Sequence, residues 1–133
     1  MPSTSHSLIR SLEAYLLFLR LVWGAMCLSR PRSVVAILGG PVDHRATTVT
    51  RLVGARHVVQ SGVDWLVPTR RTLVVGGAVD LIHGASMALF GVLDPARRRW
   101  AWRECAIATA WGSGSLSAGE GRATRLPSVT VAA

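Results

Sequence analysis

The chain of 133 residues contains no lysine and no asparagine, so all 15 of its basic residues are arginine. That usage, beside abundant Ala, Val and Gly, points to a GC-rich and therefore bacterial coding sequence. Acidic residues are also scarce, 7 in all, which leaves a formal charge of +8. Such an excess suits nucleic acid, but no recognised binding motif accompanies it. The arginines instead stand beside apolar runs, at Arg30 and Arg32, at Arg70 and Arg71, and from Arg97 to Arg99, as they do around membrane segments. Nucleic acid is not an expected partner.

Cysteine is limited to Cys27 and Cys105, both inside apolar stretches and neither in a CxxC pair. They read as small hydrophobes, which argues against a disulfide, a redox role or a cysteine-based metal site. A cleavable leader is not expected either, because Arg20 interrupts the apolar part of the first segment and no small-x-small site follows it. No internal repeat or composition shift divides the chain.

What the chain does contain is apolar sequence: half of its residues are hydrophobic and its mean hydropathy is +0.36. The run from Thr72 to Leu93 carries no proline, and its only ionisable side chains are Asp80 and His83. As a helix it rises roughly 33 Å, enough to cross a hydrocarbon core of about 30 Å. The expected class is all-α, a small helical membrane bundle of three to four helices. Residues 1–112 form its single domain and residues 113–133 a disordered tail rich in Ser, Gly, Ala and Thr.

Taken in order, Ser7 caps a first helix to about Leu28, on which Glu13, Leu17, Arg20 and Gly24 share one stripe. Glu13 and Arg20 can neutralise each other there, and the helix either spans or lies in the interface. Pro31 ends it. A connector follows, with Ser33 to Leu38 as a short helical or re-entrant piece and turn residues at Gly39, Gly40 and Pro41. Asp43 or Thr47 caps a second helix that continues to about Val67. Its polar arc of Thr50, Arg56, His57, Gln60, Ser61 and Asp64 opposes an apolar arc that includes Leu52, Val59, Trp65 and Leu66, with Arg51 alone breaking the apolar side. Two fates for the polar arc stay open: solvent or headgroup exposure, or burial against the third helix.

The third helix, Thr72 to Leu93, repeats glycine at Gly77, Gly84 and Gly91, where small residues invite close packing. Asp94 and Pro95 then start a fourth helix that ends near Trp111 at Gly112, Gly114 and Gly119. Its opening, Arg97, Arg98, Arg99, Trp100, Trp102 and Arg103, reads as an interfacial collar. The arginines of the first and third connections slightly outnumber those at the other end, which favours both termini outside the cytoplasm.

If the second and third helices form an antiparallel hairpin about residue 69, Arg56, His57, Gln60, Asp80 and His83 fall at one depth. Ionisable groups at mid-membrane are paired or functional. Several roles remain open for this network: fixing helix register as part of a structural or accessory subunit, relaying protons or carrying a small molecule, or catalysis by His83 oriented by Asp80. No serine or cysteine nucleophile stands at a recognisable motif, so whether the chain is an enzyme stays undecided. Haem between His57 and His83 is a further option, although no cofactor is the first expectation. Zinc is disfavoured, with two histidines and one carboxylate converging. Expected partners are the lipid bilayer of a bacterial cell membrane, crossed several times, and a membrane protein or a second copy of the chain.

The stretches Gly54-Ala55-Arg56-His57-Val58-Val59-Gln60 and Val79-Asp80-Leu81-Ile82-His83-Gly84-Ala85-Ser86-Met87 give a GxRxxxQ plus VDxxHxxSM pattern. From about Arg51 to Trp111 the chain resembles uncharacterised small integral membrane proteins of actinobacteria. The resemblance implies a location and a source, and no activity.

Overall fold

The computed structural model describes residues 4–123, and side chains from 14 to 121. Among these, five α-helices and no strand are present: α1 (Thr4–Ser29), α2 (Pro31–Ile37), α3 (His44–Leu66), α4 (Arg70–Leu93) and α5 (Arg98–Ala123). The count exceeds the expected three to four because Pro31–Ile37 forms a helix of its own.

Each boundary has a local cause. Arg30 leaves the helical region (φ −133°, ψ 52°) ahead of Pro31, which occupies the first turn of α2, as a proline requires of the residue before it and prefers for itself. α2 stops at Gly39, whose φ of +77° suits glycine. There the Gly40 amide donates to the Val35 carbonyl at 2.9 Å and the Gly39 amide to that of Ala36 at 3.0 Å, the Schellman arrangement. Asp43, rather than Thr47, caps α3 by accepting from the Ala46 amide at 2.8 Å. Thr69 and Thr72 form a reciprocal capping box at the start of α4.

Two boundaries differ from expectation. α1 begins at Thr4, which puts Ser7 inside the helix rather than at its cap. α5 runs past Trp111 to Ala123, so residues 113–123 are helical rather than a loose tail. Its glycines are used for contact: a Cβ on Gly112 would lie 3.0 Å from the Gly77 carbonyl oxygen, and one on Gly119 3.2 Å from the Val74 side chain. Close packing on α4 holds the helix where propensity alone would end it. The rest of the expected tail lies outside the described residues.

The helices pack as two pairs, α1 with α3 and α4 with α5, while α3 and α4 touch at few points despite their short connection. Gly24 and Gly54 make the first crossing, where a Cβ on Gly54 would meet that of Cys27 at 2.7 Å. The second uses the heptad glycines. Gly77 faces Gly112 and Leu116, Gly84 faces Thr109 and Ala108, and Gly91 faces Ala101 and Trp102.

Apolar burial is concentrated at one end, where Cys27, Val34, Val35, Leu38, Ala46, Met87, Trp100 and Ala101 form a cluster around α2. Trp100 is 2% exposed and meets Phe90 edge to face at 6.2 Å between centroids. It therefore belongs to this core rather than to the collar, which keeps Trp102 and exposed Arg98, Arg99 and Arg103. A surface clasp closes the same end: Arg97 bonds Asp94 at 2.6 Å and also bonds Asp43. The Ala46 amide, followed by Arg97, holds the Asp43 carboxyl below the usual range, and Arg97 does the same for Asp94.

Among the described residues one helix, Arg70–Leu93, with a mean hydropathy of 1.7, is long and apolar enough on its own to cross a membrane. Within α1 the described apolar stretch is Ala14–Ser29. α3 and α5 are less apolar because each carries several polar residues, and the fold turns many of them inward.

Candidate functional site

The polar arc of α3 faces the interior. Thr50, His57, Ser61 and Asp64 are buried, whereas Leu52, Val59, Trp65 and Leu66 on the opposite arc are exposed. Burial is against α1 rather than chiefly against α4, because α1 is the helix that α3 packs on.

At the centre of this interior is Arg20, 2% exposed. Its guanidinium Nε donates to His57 Nδ1 at 3.2 Å, Nη1 to Ser115 Oγ at 3.3 Å, and Nη2 to both Gln60 Oε1 at 2.6 Å and Asp80 Oδ2. The same guanidinium stands 5.9 Å from the Trp111 ring centroid, within reach of a cation–π contact. One side chain of α1 thus touches α3, α4 and α5. Arginine suits the position because its planar fork presents several donors in fixed directions.

Asp80 has no exposed side-chain surface, and its second oxygen, Oδ1, pairs with Arg56 at 2.6 Å. Gly76, one turn earlier on α4, makes room for Gln60, whose amide occupies the space a Cβ would fill. Because Gln60 Oε1 receives the Arg20 hydrogen bond, the amide orientation is fixed and Nε2 points away from Arg20. Gln60 Nε2 is buried with no acceptor among the described residues.

The structure therefore brings together Arg56, His57, Gln60 and Asp80, joined through Arg20 and Ser115. It does not hydrogen-bond His83 to them: His83 is half-buried, and its buried Nε2 has no partner among the described residues. Both Asp80 oxygens are already engaged by arginines, so Asp80 does not orient His83 as a general base. Haem between His57 and His83 does not fit either. His57 is 1% exposed and its Nδ1 accepts a hydrogen bond from Arg20, which leaves its own hydrogen on the nitrogen a haem iron would bind. Among the described residues no three His, Cys, Asp or Glu side chains gather as a metal site requires.

The sequence offers Glu13 as a partner for Arg20, and the Glu13 side chain lies outside the described residues; the contacts of Arg20 with His57, Gln60, Asp80 and Ser115 were not among those expected. The stripe through Arg20 and Gly24 was the usable signal, since a guanidinium one turn from a glycine crossing reaches across the partner helix. Ser115 was concealed in the supposed tail. Buried Asp64, on the α3 polar arc, and Glu104 on α5 add further ionisable groups to the interior.

Two openings approach the network. A cavity of about 80 Å³ borders Arg20, Asp64, Leu73, Trp111 and Ser115. A wider groove of about 500 Å³ separates α3 from α4 beside Arg56 and Gln60. The fold and site together define an all-helical bundle with charge inside it. Comparison of the chain with protein-family models, with curated proteins and with solved structures yields no match.

Proposed function

We propose that the chain is a small integral protein of a bacterial cell membrane, crossed by α1, α3, α4 and α5, with a structural or accessory role. The observation that carries this reading is the reversed distribution of polarity. Arg20, His57, Asp64, Asp80 and Glu104 are inside, while Phe18, Leu52, Val59, Trp65, Ile82 and Leu89 are outside. Water penalises such a surface and a bilayer favours it. The four helices rise about 34–39 Å at ~1.5 Å per residue, sufficient for a ~30 Å hydrocarbon core. Exposed arginines stand near their ends, Arg32, Arg45, Arg98 and Arg99 at one and Arg70 and Arg71 at the other. The resemblance to small actinobacterial membrane proteins agrees with this location.

Within the bilayer the Arg20–Asp80–Arg56 network joins the two helix pairs where α3 and α4 make little contact. Its role is to fix their register, in a unit that serves a membrane protein partner or a second copy. After lysis, the untagged chain should sediment with membranes through a carbonate wash and dissolve only with detergent. Recovery in the soluble fraction without detergent contradicts the proposal. A carrier or proton-relay role using Asp80 and His83 is the second reading, favoured by the cavity that reaches Arg20. For that reading Asp80→Asn abolishes transport in vesicles while leaving thermal stability unchanged.

A further inference from the structure

The groove between α3 and α4 combines apolar walls with an exposed arginine at one end. Val59 and Val63 form one wall and Val75 and Val79 the other, all exposed. Its volume of about 500 Å³ lies within the ~300–1,000 Å³ typical of small-molecule sites. At the end near the α3–α4 connection stands Arg71, exposed and without an ion pair among the described residues. Deeper in, Gln60 lines the groove, with its Nε2 buried against Gly76. Gln60 lies level with Gly76, about 7.5 Å along the α4 axis from Arg71 at ~1.5 Å per residue. Arg56, deeper still, is turned onto Asp80 at 2.6 Å, so its aliphatic stem is available to an apolar chain. Asp64, at the back, is 2% exposed and adds little negative surface to the groove.

We infer that this groove binds one anionic glycerophospholipid. Its phosphate pairs with Arg71, and an acyl chain runs between the valines. The order of the groups matches: a cation at the mouth, then an aliphatic channel. The inference rests on the proposed membrane location and adds the ligand class.

The test is native mass spectrometry of the full chain released from detergent, titrated with phosphatidylglycerol, with phosphatidylcholine of the same acyl chains, and with inorganic phosphate. One phosphatidylglycerol per chain should be retained about five-fold better than phosphatidylcholine, the gain expected from one basic residue near an anionic headgroup. Arg71→Gln should remove that preference while leaving retention of phosphatidylcholine unaltered. Arg32→Gln, at the far end of the bundle, should leave both unchanged. Equal retention of the two lipids by the unaltered chain, or a preference that survives Arg71→Gln, overturns the inference. So does competition by inorganic phosphate, or a dimer that excludes lipid from the groove. These outcomes leave the membrane proposal standing, whereas a chain that remains soluble without detergent removes both.

Discussion

Asp80 pairs with both Arg20 and Arg56, so the three residues differ in how much they can be altered. Asp80→Asn strands two guanidiniums in the interior, and removing one partner of a buried pair costs about 3–5 kcal/mol. Arg56→Gln leaves Asp80 with Arg20 and should cost less. Thermal denaturation in detergent should rank Asp80→Asn well below Arg56→Gln, and equal midpoints would show that the network does not hold the helix pairs together. Asp43 acts differently, because it caps α3 and ties it to Arg97 at the surface. Its carboxyl and that of Asp94 are held below their unfolded values. Their stabilisation is therefore complete above the unfolded pKa of about 4 and is lost as pH falls through the lower folded values. Midpoints measured from pH 6 down to pH 3 should fall at the acid end, and Asp43→Asn should flatten that fall.

At the scale of the helix, the glycines separate packing from propensity. A Cβ on Gly54 would come within 2.8 Å of the Gly24 carbonyl oxygen and 2.7 Å of Cys27, whereas one on Gly62, on the same helix, meets nothing within 4 Å. Gly54→Ala should cost about 1–3 kcal/mol through overpacking, and Gly62→Ala should be neutral or gain up to ~1 kcal/mol from helix propensity. Matching losses at both positions would contradict the α1–α3 crossing. This is also the scale at which the sequence is most readable. Pro31, Asp43 and Asp94 mark boundaries through chemistry confined to a few residues, and Gly77, Gly84 and Gly91 mark a packing face. The end of α5 was hidden because glycine terminates an isolated helix but, at Gly112 and Gly119, permits a tertiary contact that prolongs this one.

For the whole molecule the decisive feature is which helices pair. A short connection between α3 and α4 suggests neighbours, yet each packs mainly on another helix, α1 or α5. Arg56 and Asp80 still meet because their depths match, which depends only on distance from the connection. Arg20 was not legible in the same way, since its contacts join residues far apart in the chain and require the pairing to be known first. The same pairing places the polar arc of α3 inside and leaves Leu52, Val59, Val63 and Leu66 outside, which is the basis of the membrane proposal.

Spin labels test that polarity most directly. Nitroxides placed singly at Leu52, Ile82 and Leu89, in a background with Cys27 and Cys105 replaced, are compared with one at Arg99 in reconstituted vesicles. The account predicts that the first three relax faster with oxygen, which concentrates in the acyl chains, than with a water-soluble nickel chelate, and that Arg99 shows the reverse. Strong broadening by the chelate at Leu52, Ile82 and Leu89 would mean that the apolar face meets water, and the account would fail.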